Sequence, residues 1–234
     1  DRARLLKARS LLFGWTFATP TGLGTTNPLD VSDSAATAVF NAFMHFFISR
    51  SLGDEFTMAG FEIWRLGDNQ LVRIVHAMLA APQTLVQSAT TQQPIVCDHA
   101  PTAGADDSCT KVVIQAVLDA MHHLETSSGF GTADVTKWHW GKLHRLAIRP
   151  LFPNAELDLP ASGSPGFPKS GDNFNVNRSD QGWNDLDFSQ SADGPAQRFL
   201  AIADGGPIRV KWSLPGGVIY DSRSPHYRDL LDGY

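Results

Sequence analysis

The sequence has 234 residues, 42% of them hydrophobic and 18% charged, with a formal net charge of −5 at pH 7. That length suits one large domain or two small ones with a sizeable core, and the mild acidity argues against a basic nucleic-acid surface. No apolar run approaches the ~18 residues of a membrane span, and Asp1-Arg2-Ala3-Arg4-Leu5-Leu6 lacks the apolar stretch of a secretory signal.

Residues 1–13 read as the end of a helix, with Leu5, Leu6, Leu12 and Phe13 among Arg2, Arg4, Lys7 and Arg9. A loop follows, marked by Gly14, Pro20, Gly22, Gly24 and Pro28. Ser32 or Asp33 can cap the next helix, and Gly53-Asp54-Glu55 is expected to stop it. Its Ala35, Ala36, Val39, Phe40, Phe43, Phe46 and Phe47 recur at three and four, which is a helical stripe. A third helix is expected from Asn69 to Ala80, with Leu71, Val72, Val75, Met78 and Leu79 inward and Pro82 ending it.

A polar loop, read over 83–107, is expected to carry both cysteines, Cys97 and Cys109. The two are either unrelated thiols or a disulfide closing a surface loop. A Pro/Asp/Gly setting, rather than a core face, favours the bridge, worth ~3 kcal/mol for such a ring. A bridge implies an oxidising, periplasmic or secreted setting. Asp106 or Asp107 can cap the clearest helix of the chain, running to about Thr126. It places Val113, Ala116, Val117, Ala120 and Leu124 on one face, and Gly129 punctuates its end.

At Lys137–Leu151 the character changes, with Trp138, His139, Trp140, Gly141, His144 and Arg145 close together. The chain reads as a mainly helical part, 1–136, and a loop- and strand-rich part, 137–234, both belonging to one larger domain. Residues 153–172 read as a long loop, and short strands are expected at 173–177, 198–203, 208–212 and 218–220. Helices first and strands second is an α+β arrangement.

By composition the Trp/His segment suggests a metal or catalytic cluster. Spacing argues against it. His139 and His144 are five apart, about 140° round a helix, so they do not share a face as the paired histidines of a zinc helix do. His122 and His123 are adjacent and diverge for the same reason, and no cysteine or carboxylate stands at ligand spacing. No Gly-x-Ser-x-Gly elbow lies between a strand and a helix, and no glycine-rich phosphate loop has its lysine. No catalytic set can be assembled from these residues, and a zinc site using His139 and His144 is not expected. Trp138 and Trp140 read as core or interface filling. A non-enzymatic secreted binding module, using its tryptophans as a partner surface, is the alternative to an enzyme.

The order of the sparse motifs is more telling than any one of them. Trp140-Gly141-Lys142-Leu143-His144-Arg145 followed by Pro150-Leu151 resembles the "WGxxHR…HPL" stretch of the penicillin acylase family. Gly171 to Asn177 resembles that family's glycine-rich strand ending in Val-Asn, and Gly194-Pro195-Ala196-Gln197-Arg198 its "GPSxR" strand start. Pro215-Gly216-Gly217 with Ser224-Pro225-His226-Tyr227-Arg228-Asp229 resembles its "PGGxSGxPxSPHYxDQ" signature, and Asp33-Ser34-Ala35-Ala36 its "D-S-x-A" helix. The set spans residues 30–234. Differences are Val218-Ile219-Tyr220 for Gln-Ser-Gly, Ala196 for Ser, and Arg149 for the His before the proline.

The resemblance implies an N-terminal-nucleophile hydrolase of αββα architecture, self-cleaved into a small and a large subunit. It acts on N-acyl amides such as β-lactam side chains or acyl-homoserine lactones. It implies a nucleophile, oxyanion groups and calcium ligands upstream of these residues. None of the resembling residues is then catalytic or metal-binding, and the chain needs no cofactor of its own. Trp140, Gly141, His144, Arg145, Pro150, Asn177, Arg198, Pro215, Gly216, Gly217, Pro225, His226, Tyr227 and Asp229 are expected to serve structure. The chain is expected to be the C-terminal part of the large subunit, a fragment partnered by the rest of that subunit and by the small one.

Overall fold

The computed structural model of the protein describes residues 1–62, 68–87, 89, 92, 94–97, 108–150, 154–161, 163–181, 186, 188, 189 and 197–231. Its described elements are helices followed by a few short antiparallel strands, an α+β mix. Two compact units divide the chain, one built on Asp1–Lys142 and one on Leu143–Gly182 and Asp187–Tyr234. The division falls inside the Trp/His segment.

The first unit is organised on α2, Pro28–Met58, a helix of 31 residues. Asn27 caps it by accepting the Leu29 N–H, with Pro28 at the first helical position, where a missing N–H costs nothing. It starts before Ser32 and Asp33 and does not stop at Gly53. One glycine in a helix costs only ~1 kcal/mol, and the last turn is closed by the Ala59 N–H on Glu55 O. Ala35, Ala36, Val39, Phe43 and Phe47 are buried as the stripe predicts, while Phe40 and Phe46 are only half-buried. Asp33, Ser34, Thr37, Asn41 and Ser51 are buried as well, so α2 is enclosed on more than one face.

Helix α1, Arg2–Gly14, packs on α2 and on α4, Cys109–Glu125. Arg4 ties α1 to α4 through Glu125, 2.8 Å away, and Arg50 of α2 pairs with Asp119 of α4. The buried stripe of α4 is Val112, Ala116, Ala120, Met121 and Leu124. The expected stripe was therefore rotated: Val113 and Val117 are only half-buried. The cap is Ser108, whose hydroxyl accepts the Lys111 N–H; Asp106 and Asp107 lie outside the described residues. Helix α3, Asp68–Ala80, buries Leu71, Val75 and Met78, but Val72 and Leu79 face solvent, contrary to expectation.

Cys97 and Cys109 form a disulfide that ties the turn Ile95–Cys97 to the first residue of α4. Cys109 is thus a helix residue rather than a loop residue. Closing a loop of sequence separation 12 removes unfolded-state entropy worth ~3 kcal/mol. Reduction is expected to lower the unfolding free energy by that amount, and thiol titration of unfolded, unreduced protein to find no free thiol. Two titratable thiols would contradict the bridge.

In the second unit β1, Arg145–Leu146, pairs antiparallel with β2, Phe167–Pro168. A hairpin joins β3, Arg198–Ile202, to β4, Arg209–Ser213, with Phe199 opposite Trp212 and Ala201 opposite Val210. These four side chains share one face, and all four are exposed. The strands expected at 173–177 and 218–220 are absent: the first stretch is a series of turns and the second is irregular.

Candidate functional site

The motif residues form three clamps, one in the first unit and two in the second. In the first, Ser34 of α2 accepts the Trp140 N–H at 2.5 Å and donates to the Thr21 carbonyl at 3.0 Å. That carbonyl also accepts the Gly141 N–H at 2.9 Å. Gly22 must be glycine here: its φ is +69°, and a Cβ would lie 2.4 Å from Ser34 Oγ. Neighbouring Asp33 accepts the Thr16 N–H at 3.1 Å and the Thr16 hydroxyl. The "D-S-x-A" helix thus ties the loop before it at Thr16 and Thr21. Trp138 and Trp140 are fully buried, with Trp138 stacked on Phe130 and its indole N–H on Thr132 O at 2.8 Å.

The second clamp is centred on His144, also fully buried. Its Nδ1 lies 2.6 Å from the Phe188 carbonyl and its Nε2 2.7 Å from Ser179 Oγ. A carbonyl only accepts, so Nδ1 carries the proton and Nε2 accepts from the Ser179 hydroxyl. Burial is the main cause holding the imidazole down to about pKa 4, and the positive charge of Lys169 adds to it against the opposing Phe188 bond. Lys169 donates its backbone N–H to His144 O at 3.0 Å. Lys169 is 5% exposed, and its amine is lowered to about 7 by burial first and by Arg198 second.

Around this histidine the loop 170–181 is folded by its own amides. Gly171, at φ +93°, lies so close to Asn177 that a Cβ would stand 1.9 Å from the Asn177 carbonyl. Asp172 Oδ1 accepts the Phe174 N–H and Asn175 Oδ1 the Asn177 N–H. Asn177 donates to Ser170 Oγ and accepts from the Arg198 guanidinium. Asn173 and Gln181 exchange two bonds, at 2.7 and 3.1 Å. Arg145 sits in β1 opposite Pro168. Gly194, Pro195 and Ala196 lie outside the described residues.

The third clamp joins Pro215-Gly216-Gly217 to Pro225-His226-Tyr227. A Cβ on Gly217 would stand 2.0 Å from His226 O. The Ile219 N–H donates to His226 O at 3.3 Å and the Leu230 N–H to Gly216 O at 3.0 Å. Tyr227, buried, donates its hydroxyl to the Leu157 carbonyl. Pro225 is exposed at the turn, and His226 Nδ1 lies 2.7 Å from Asp229 Oδ2 at the surface. Pro150 lines a small cavity beside this clamp.

Chemically, Ser179 and His144 have the spacing of a nucleophile and its base. Both have zero exposure, and the histidine is oriented by a carbonyl instead of a carboxylate. The pair is a buried structural bond that a substrate does not reach. Among the described residues no group of three or more His, Cys, Asp or Glu could hold a metal ion, and no helix is long and apolar enough to cross a membrane. Sequence spacing offered no route to Ser179, Lys169 or the Phe188 carbonyl, because each meets His144 only through the fold.

A family model described as penicillin amidase matches residues 2–234. No curated protein and no solved structure matches the chain.

Proposed function

This chain belongs to the penicillin amidase family, and from that premise we propose that it is the C-terminal part of the large subunit of an amidohydrolase acting on N-acyl amides. The observation that carries the reading is that the family's motif positions, taken in order, are where this chain clamps its own backbone. Trp140 holds Ser34 and Gly141 holds Thr21, His144 holds Phe188 and Ser179, and Gly217 meets His226. Motifs spent on such clamps mark a structural portion of an enzyme.

The architecture we propose for the whole is the αββα sandwich, with the β3–β4 hairpin extending one of its sheets. The apolar face of Phe199, Ala201, Val210 and Trp212, exposed as it stands, supports this, because a lone two-stranded hairpin is marginal in water. The proposed partners are the remainder of the large subunit and the small subunit. The proposed setting, periplasmic or secreted, is supported by the Cys97–Cys109 bridge.

In this reading, a serine, cysteine or threonine on the remainder of the large subunit attacks the amide carbonyl, with its own α-amino group as base. The amine leaves, water releases the acid from the acyl-enzyme, and hydrogen-bond donors stabilise both oxyanions. Calcium, where the family uses it, would be held by other residues of the rest of the large subunit. The residues of this chain orient and support; none takes a proton from the substrate. Trp138 and Trp140, being buried, are not available as the partner surface of a non-enzymatic module.

The test is hydrolysis of a chromogenic acyl amide. The purified 234-residue chain is expected to show none, and coexpression with the rest of its large subunit and the small subunit to produce it. Turnover by the chain alone would overturn the reading.

A further inference from the structure

Helix α1 carries four of the chain's 19 lysines and arginines, Arg2, Arg4, Lys7 and Arg9, in a protein of net charge −5. Their charge is only partly neutralised. Arg4 takes Glu125 at 2.8 Å and Asp1 at 3.7 Å. Lys7 donates to the Ala133 carbonyl, which leaves its charge in place. Among the described residues neither Arg2 nor Arg9 pairs with an acid. Arg2, Leu6, Arg9 and Phe13 follow at steps of four, three and four, which brings them within an arc of about 60°. All four are exposed, while α1 packs on α2 and α4 by another face, where Ala8 is buried. Phe13 is 82% exposed, and the Arg9 guanidinium lies 5.2 Å over its ring.

The loop that leaves α1 adds a second aromatic four residues on. Phe17 is 73% exposed and its φ is +65°, a left-handed conformation that is an outlier for a bulky side chain. Its neighbours hold it there. Asp33 takes the Thr16 N–H and hydroxyl, the Trp15 indole N–H donates to Ala18 O at 2.7 Å, and the Trp15 ring stands 5.2 Å from that of Phe17. The chain thus accepts strain to turn a phenyl ring toward water, and such strain collects at functional positions.

Protruding phenyl rings beside unneutralised guanidinium groups match the surface of an anionic bilayer, where bases reach lipid phosphates and rings sink to the boundary of the acyl chains. A single convex helix face offers a peptide no cleft. A chain of net charge −5 is repelled by an anionic surface as a whole, so attraction has to be local. We propose that α1 and the loop after it form a docking surface for anionic lipid, with Arg2 and Arg9 on the headgroups and Phe13 and Phe17 inserted. Docking is peripheral, because the 13 residues of α1 are too few to span a bilayer. The surface is independent of the amidohydrolase reading, since it needs neither a nucleophile nor a second chain.

The test is co-sedimentation of the 234-residue chain with vesicles of phosphatidylcholine alone and with ~30% phosphatidylglycerol added. Binding is expected only to the second and to weaken as salt is raised. Arg2→Gln combined with Arg9→Gln is expected to weaken it roughly tenfold or more, at about fivefold per base. Phe17→Gly is expected to weaken it about fivefold without lowering the thermal midpoint, because glycine adopts this φ freely. It keeps the test decisive if the arginine variant does not fold. Equal binding to both vesicles, or unchanged binding in either variant, would overturn the proposal. So would binding of polyglutamate in place of vesicles, which would make the partner an acidic protein, or a dimer lost in both variants, which would make it a second copy of this chain.

Discussion

Replacing Trp140 with alanine is expected to lower the unfolding free energy by about 3–5 kcal/mol, read as a fall in the urea midpoint. The side chain has zero exposure, and its backbone N–H on Ser34 survives the substitution. The loss therefore reports packing and not a broken anchor. Surrounding structure has little freedom to close over the gap, because Gly141 and Ser34 are both pinned to the Thr21 carbonyl. The same change at Trp212, 48% exposed on the hairpin, removes a side chain that water already reaches and is expected to cost under about 1 kcal/mol. An unchanged midpoint for Trp140→Ala, or equal losses at the two sites, would show that Trp140 is not the core residue its burial makes it.

The helical half was legible because burial there follows a period of 3.6, and α2, α3 and α4 all lie where apolar residues recur. Its errors are rotational: Val113 and Val117 were chosen over Val112 and Met121, since hydrophobicity alone does not say which edge of an apolar arc meets the neighbouring helix. The strand expected at 173–177 failed for a different reason. Asp172 and Asn175 each bond the backbone N–H two residues on, which gives the chain a local alternative to a ladder. At 218–220 the two glycines before the stretch press against His226 and Tyr227, so one backbone bond, from Ile219, replaces a strand pairing.

The Trp/His segment was legible as a marker but not as a mechanism. Its residue types suggest chemistry, and spacing removes the metal reading, yet only the fold shows what His144 holds. Its partners are 35 and 44 positions away in sequence. A serine in an Asn/Asp-rich loop and a main-chain carbonyl leave no pattern that a sequence can display. The same holds for the cavity beside Pro150, whose described walls come from four separate stretches of the second unit.

Acid is expected to weaken the second unit through His144 before its carboxylates are protonated. The imidazole is neutral in the folded protein down to about pH 4, whereas in the unfolded chain it takes up a proton near pH 6.5. Between these values the unfolded state binds more protons, so stability falls as pH falls, by roughly 3 kcal/mol in all, and is level above the upper value. Lys169 has the same sign at higher pH: its amine, lowered to about 7, costs stability as pH falls from ~10.4 to 7. The unit is therefore expected to be more stable at pH 9 than at pH 7, and more stable at pH 7 than at pH 5. His144→Gln separates this effect from general acid unfolding, because an amide can donate to Phe188 O and accept from Ser179 without titrating. Its midpoint is expected to be lower than wild type at pH 7, and the difference to shrink as pH drops from 6.5 toward 4. A difference that stays constant over that range would mean the buried imidazole is not what makes the unit sensitive to acid.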